Sequence, residues 1–591
     1  MEGSWGVWKR FRRGLIAGAA CAVVGCSGGG TASPSTTAET STTVATNDLP
    51  AVVSVSAAAE SVPAYGRLDL AVELEAEYEN PFDQRQIALD AVFTDASGAT
   101  WEVPGFWNGR DAWAIRFTPS SPGTWRYSVT VTDQRGTSAP ATGAFDTEPS
   151  EARGFLRVGS AVDPDYSSRY LAYEDGTPWF GFGHADLGMS FDGYDGTTLR
   201  KMADMVETGE NLEMWWPLWA MNYLQNDYAS YNPTALDTID LVLTEAERHG
   251  IGLAFTIWNH QLLRTDEHAW GNGLWNSNGF RNLVDGPHDF FVDDEAWAWQ
   301  ENMYRYTVAR WAYSPAVAMW QTVSEINGTE SYEQTDPWHD RLNAWFQEHD
   351  PYRHPTTASM SGGQFWPRAN EVVDVPQMHV YEQFHVNPIA TAKIMADWTV
   401  MMWEDQEKPN WIGEYGVRLQ RAYPEFMHNS NWATLAAGAA TTPIEWNDRQ
   451  TYGQFDADQR ADMQRFVAFV DTIPLVQVDP DQLTVTTSHP EVRGWGLAGP
   501  TGGLLWVQDF AGESPELGVE EDLDAMRARS PREDVVVDLA GMPAGSFVAT
   551  PYDTWTGEWL DPIGLTCDGE VPCELALPTF RFDVAVRLDP A

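Results

Sequence analysis

The chain has 591 residues, 43% of them apolar, and sets 85 acidic against 36 basic side chains for a formal charge of −49. That length exceeds what one hydrophobic core serves and predicts two to four domains. The acidic surface repels phosphate backbones and anionic headgroups, which excludes nucleic acid and a bare lipid surface as partners.

The N-terminus reads "KRFRRGLIAGAACAVVGCSGGG". A basic stretch ahead of a short apolar run is a signal-peptide pattern, too short to span a membrane, and residues 1–25 are read as that signal. "VVGC" resembles a bacterial lipobox. The resemblance implies that Cys26 is the lipidated first residue of the mature chain, tethered to the outer face of a bacterial cell membrane. A plain secretory signal is the alternative. Residues 26–52, rich in Ser, Thr and Gly, are expected to be a disordered linker.

Residues 53–150 alternate apolar and polar positions in short runs split by "NPFD", "ASG" and "SPGTW". Such spacing predicts a small antiparallel β-sandwich. The stretch resembles the immunoglobulin-like domain of unknown function 5060, found ahead of bacterial glycosidase barrels. The matching segments are "ENPFD", "VPGFWNG", "WAIRFTP" and "PGTWRY".

Over residues 151–472, strand-like runs alternate with amphipathic segments. The runs are "PWFGFGHAD", "NLEMWWPLWA", "GIGLAFTIWNH", "AVAMWQTVSEI", "HPTTASMSG", "DVPQMHVYE", "PNWIGEYGV" and "AAGAATTPIEWND". Eight strand-then-helix repeats predict an α/β fold of the (β/α)8 TIM-barrel class. An open doubly wound sheet is the runner-up, but no glycine-rich phosphate loop accompanies it. A long insert, "NHQLLRTDEHAWGNGLWNSNGFRN", follows the third run and is expected to be a lid or subsite wall. Residues 473–591 return to strands and predict a second β-sandwich. There "CDGEVPC" places Cys567 and Cys573 for a disulfide in an oxidising compartment, and "YDTWTGEW" reads as strand, turn and strand.

In such a barrel the chemistry lies at the C-terminal ends of the strands. Two carboxylates stand there, Glu325 after the fourth run and Glu414 after the seventh. Glycoside hydrolysis needs such a pair. "VSEIN" and "WIGEYG" resemble the paired motifs of clan A glycoside hydrolases, to which family 5 belongs. The resemblance implies that Glu325 is the acid/base and Glu414 the nucleophile. "MHVYE" is similar to the clan's sixth-strand motif, giving His379 and Tyr381, and "PIEWND" to its eighth-strand tryptophan, Trp446, the floor of the sugar site. The clan carries Asn before the acid/base, where this chain has Ser324. Apiosidase-like barrels also lack that Asn, so the departure points toward an unusual sugar such as a furanose.

The expected mechanism is double displacement. Ionised Glu414, steadied by Tyr381, attacks the anomeric carbon, and protonated Glu325 serves first as acid and then as base. A retaining enzyme of this kind spaces its carboxyls by about 5–5.5 Å, an inverting one by roughly 6.5–9.5 Å. Further candidate sugar contacts are His184 and Asp186 after the first strand, Trp215, Trp216 and Asn222 after the second, and Trp258, Asn259 and His260 after the third. For each, packing is the competing role, and for His379 a hydrogen-bonded core position competes evenly. Glu330 is a rival acid, ranked below Glu325 because it follows "NG" in a loop. No cofactor is expected. No metal signature such as H-E-x-x-H occurs, so no catalytic metal is expected, and a surface calcium stays open. The function expected is hydrolysis of an extracellular poly- or oligosaccharide by a secreted or lipid-anchored protein. The alternatives are a non-catalytic carbohydrate-binding scaffold and a transglycosylase. Sugar, linkage, exo or endo action and oligomeric state are not legible.

Overall fold

The computed structural model describes residues 49–184, 197–217, 227–265, 270, 272–381, 387–416, 424–446, 455–513, 524 and 526–591. The predicted signal, linker and Cys26 lie outside these residues. The described chain is a mixed α/β structure. No described helix is long and apolar enough to cross a membrane.

The first part holds two sheets. One orders its strands Ala51–Ala57, Leu68–Glu75, Trp113–Phe117 and Phe106–Trp107; the other runs Ser61–Pro63, Ala141–Glu148, Gly123–Asp133, Ile87–Thr94 and Thr100–Pro104. All pairs are antiparallel except Ser61–Pro63 with Ala141–Glu148. Alternate residues point inward, as the pleat requires: Leu89, Ala91 and Phe93 are buried while their neighbours are more exposed. Phe93 from one sheet stacks on Phe117 from the other at 3.8 Å.

Among the described residues, eight strand-like segments follow, most of them paired in parallel and interleaved with helices. Leu212–Trp215, Gly252–Asn259, Val317–Ser324 and Thr356–Ala358 pair in order, and Gln377–Val380 pairs with Trp411–Tyr415. Backbone bonds make the remaining links. His379 N–H donates to Met360 O at 3.0 Å, joining the fifth and sixth segments, and Tyr415 N–H donates to Ile444 O at 2.8 Å, joining the seventh to the eighth. Thr442 N–H donates to Gly181 O at 2.7 Å and Leu212 N–H to Phe182 O at 2.9 Å, so the eighth segment meets the first and the first meets the second. The strands are buried on both faces; every residue of Val317–Ser324 is buried, the polar Gln321, Thr322 and Ser324 included.

The intervening helices carry local start and stop signals. Pro233–His249 begins with Asn232 accepting from Thr234 N–H, has Pro in its first turn, and stops at Gly250, whose φ of 69° suits glycine. Asp293 caps Asp294–Trp311, and Asp456 with Gln459 forms a capping box on Ala457–Val470.

The last part pairs Asp481–Gln482, Val492–Gly499, Gly502–Asp509, Asp583–Pro590, Gly545–Asp553, Glu558–Trp559 and Ile563–Cys567 in one sheet, and Thr484–Thr487, Val536–Ala540 and Cys573–Ala576 in another. Cys567 and Cys573 are disulfide-bonded, their Cα atoms 5.4 Å apart.

Candidate active site

Glu325 follows the buried strand Val317–Ser324. Its backbone is left-handed, φ 58° and ψ 51°, a conformation that costs an ordinary residue about 1–2 kcal/mol. The loop after the fifth segment holds it there. Glu325 N–H donates to Ser359 Oγ at 3.0 Å, and Asn327 and Ser361 exchange two hydrogen bonds, at 3.0 and 2.8 Å.

Glu414 sits in Trp411–Tyr415. A Cβ on the preceding Gly413 would stand 1.7 Å from Gln377 Oε1, so a larger residue there has to displace the Gln377 amide. Tyr381 OH donates to Glu414 Oε2 at 2.5 Å. His379, wholly buried, places Nδ1 2.9 Å from Glu325 Oε1 and 3.2 Å from Glu414 Oε2. One nitrogen or oxygen from each of these three side chains lies within 4.8 Å of the other two. His260 Nδ1 is 3.3 Å from Glu325 Oε2 on the far side.

Burial opposes charge on all of these groups. On His379 it is outweighed by the charge of Glu414 and the hydrogen bond to Glu325, which hold the imidazole up at about 9 and so protonated at neutral pH. Burial raises Glu325, but the hydrogen bond from His379, then the charges of His260 and His379, bring it down to about 2. His260 is itself pushed down to about 4 by burial. Its ring is therefore neutral at pH 7 and lends Glu325 no charge there. Glu414 is raised, by burial first and then by the Glu325 charge, against the pull of His379. The unliganded cluster thus favours its proton on Glu414, the reverse of the distribution that the expected mechanism needs when the leaving oxygen is protonated. Two carboxylates and an imidazole are also a donor set that a divalent cation takes. Any such ion has to displace the Nδ1 proton that spans the two carboxylates.

The other predicted residues divide. Tyr381 lies beside Glu414, and the Trp446 backbone packs against the same strand end: a Cβ on Gly416 would meet Trp446 O at 2.4 Å and the Tyr381 ring at 3.2 Å. Trp216 stands edge-on to Trp446, ring centres 5.0 Å apart. Ser324 is buried in register with Asn259, and Asn259 caps the turn His260–Leu263 by accepting from Leu262 N–H at 3.2 Å. His184 pairs through Nδ1 with the buried Glu210 carboxylate and stacks on Phe455 at 3.7 Å. Asp186 and Asn222 lie outside the described residues.

Two expectations are corrected. Trp215 is buried edge-on against Phe255. Trp258 is buried against Phe280 and Phe290, its indole N–H donating to Tyr304 OH on the helix Asp294–Trp311 at 2.9 Å. Both face the helices rather than a ligand. In the long insert, Trp275 is likewise core, against Phe290. Glu330 accepts from Thr265 N–H at 2.8 Å and so clasps two loops together. Ser359, Ser361 and Asn327, which set the Glu325 backbone, went unmarked in the sequence because small polar residues in a loop carry no pattern of their own.

Residues 61–132 match the family described as Domain of unknown function (DUF5060). No protein of curated function matches the chain. Among solved structures, a Bacteroides vulgatus protein named as a candidate glycoside hydrolase is similar at 15% identity, TM-score 0.63, over 90% of this chain and 100% of that one. A glycoside hydrolase family 5 protein from the same species is similar at 15% identity, TM-score 0.49, over 74% and 94%.

Proposed function

We propose that the chain is a retaining glycoside hydrolase of a secreted or Cys26-anchored kind. In this reading a (β/α)8 barrel, residues 151–472, carries the site, and β-sandwiches over 53–150 and 473–591 flank it. The observation that carries the proposal is the meeting of Glu325 and Glu414. Two buried carboxyls, 89 positions apart in sequence, end the fourth and seventh of eight strand-like segments and approach to within 4.8 Å of a shared histidine and of each other. One oxygen of each carboxyl is thus close to the other, an approach that supports the retaining spacing of about 5–5.5 Å between carboxyl groups. The name of the Bacteroides vulgatus structure belongs to the same reaction class.

Glu414 is the nucleophile in this reading, held by Tyr381 and His379, and Glu325 is the acid/base. The proton has to move from the Glu414 side to Glu325 as the sugar binds. A sugar lodged between the carboxyls removes the His379 bond from Glu325, which frees that group to rise, and leaves Tyr381 and His379 to stabilise charge on Glu414. The pair then titrates as a unit whose proton follows the ligand. The substrate is an extracellular poly- or oligosaccharide whose linkage and ring form Ser324 helps to set.

The test is an activity screen on aryl glycosides and neutral cell-wall glycans, followed by azide rescue. With Glu325→Ala, azide attacks the glycosyl–Glu414 intermediate and yields a glycosyl azide of retained configuration. With Glu414→Ala, azide attacks the substrate directly and yields the inverted product. Exchange of these two outcomes reverses the roles. A single-displacement time course with inverted sugar product from the unaltered protein overturns the retaining mechanism.

A further inference from the structure

A cleft of about 970 Å³ lies between the N-terminal sheets and the barrel, on the other side of the barrel from the carboxyl pair. Its rim includes Arg353, just ahead of the fifth segment, whereas Ser359 beside Glu325 follows that segment. The strand Thr356–Ala358 runs between them, and no residue that bonds or adjoins the carboxyl pair lines the cleft. The cleft is therefore distinct from the candidate active site.

We propose that this cleft is a second glycan-binding site, one that holds a neutral oligosaccharide segment without cleaving it. The proposal rests on the reading of the chain as a glycan-acting enzyme. Four features carry it. The volume is at the upper end of ordinary ligand sites, roughly 300–1,000 Å³. The walls are built rather than collapsed: Thr118 N–H donates to Tyr352 OH at 2.9 Å, its hydroxyl donates to Tyr313 O at 2.7 Å, and Arg305 bonds Asp90 at 2.8 Å and Leu89 O at 3.0 Å. The lining presents flat rings. Trp101 is half-buried there, and exposed His349 lies parallel on Trp345, 9° between planes and 4.6 Å between centres. A planar ring face accepts the C–H face of a sugar, and planar carboxylates and guanidiniums bind vicinal hydroxyls two at a time. Finally, six carboxylates and three guanidiniums line the space, a balance that repels uronate or sulfated chains and leaves neutral glycans.

Occupied together, two sites on one chain raise the effective concentration of a long polymer at the second site and leave a short substrate unaffected. Trp101→Ala and His349→Ala are the primary variants. Trp101 also packs on Trp125 at 4.9 Å, so Arg353→Gly serves as a variant that does not threaten folding: Arg353 is exposed with φ 55°, a backbone glycine adopts freely. Affinity gel electrophoresis of the full chain is run in gels containing galactomannan, arabinogalactan, xylan, mixed-linkage glucan or, as the anionic control, pectate. The catalytically dead Glu325→Gln/Glu414→Gln protein is expected to be retarded in at least one neutral gel. That retardation is expected to fall at least five-fold on adding His349→Ala or Arg353→Gly, with none in pectate. On an otherwise unaltered protein the same changes raise KM for the retained polymer several-fold and leave kcat/KM for an aryl glycoside unchanged. Retardation insensitive to all three cleft variants, absent from every neutral gel, or strongest in pectate overturns the proposal, whatever the activity screen shows. Lost hydrolysis with intact cleft-dependent retardation instead overturns the catalytic reading and leaves this one standing.

Discussion

Glu325 carries two costs at once. Its left-handed backbone is strained by about 1–2 kcal/mol, and its carboxylate is buried beside a second one. Asn tolerates the left-handed region better than Glu and carries no charge. Glu325→Asn is therefore expected to reduce turnover by 10³-fold or more, while relief of the backbone strain offsets loss of the His379 bond and keeps the melting temperature within a few degrees, measured by scanning calorimetry alongside an aryl glycoside assay. A variant that melts several degrees lower shows that the carboxylate is structural and removes its strain from the functional argument. Glu325 and Glu414 were legible in the sequence because each is a charge ending an apolar run, and buried charge at such a place needs a reason. Trp215 and Trp258 were misplaced for the converse reason. In a strand buried on both faces the apolar run is continuous, so nothing in it tells which residues face the interior of the ring and which face the helices.

At the level of elements, the N-terminal sheets are joined to the helices by paired charges. Arg116, on the strand Trp113–Phe117, makes two bonds of 2.8 Å to Asp240 on the helix Pro233–His249. Arg310, on Asp294–Trp311, reaches the same carboxylate at 3.1 and 2.8 Å. Burial raises the Asp240 carboxyl, but the hydrogen bond and charge of Arg116, then those of Arg310, bring it down to about 2. Asp240→Ala leaves two guanidiniums facing each other over Phe106, with the cations 5.1 and 5.2 Å from its ring centre. Breaking a largely buried pair in this way costs about 3 kcal/mol, and the loss is expected in urea titration as a lower midpoint. An unchanged midpoint shows that the charges are solvated in solution and that the junction rests on apolar contact alone. The strands and helices themselves were legible from alternation, amphipathic runs and turn residues, since those signals are local. The junction was not, because Arg116 and Asp240 stand 124 residues apart and nothing in either neighbourhood names the other.

Across the whole molecule, one buried histidine ties the helices of the parallel-strand region to the C-terminal sheets. His428, on the helix Glu425–Ala437, sits 2.8 Å from Asp462 on the helix Ala457–Val470 and 3.1 Å from Asp583 on a C-terminal strand. Trp555 stacks on its ring at 4.0 Å and donates to Asp583 at 2.7 Å, while Trp506 donates to the same carboxylate at 3.0 Å. "YDTWTGEW", which reads in sequence as a plain strand and turn, thus supplies part of this junction. Burial lowers His428, but the charges of Asp462 and Asp583 outweigh it and hold the ring at about 10, against roughly 6.5 in an unfolded chain. A raised histidine contributes stability that is complete below about pH 6.5 and is lost as pH climbs through the folded value. Between those limits the folded chain keeps a proton the unfolded chain has released. Unfolding free energy is therefore expected to decline by up to about 1.4 kcal/mol per pH unit from this group, with His379 adding to the slope until about pH 9. His428→Gln keeps a polar side chain in place without the titration. Chemical denaturation of both proteins from pH 6 to 10 is expected to show a steep decline for the unaltered chain and a shallower one for the variant, which starts from a lower stability at pH 6. Parallel slopes place the titrating group elsewhere. A slope that flattens equally in His379→Gln and not in His428→Gln assigns the alkaline loss to the candidate active site rather than to the junction.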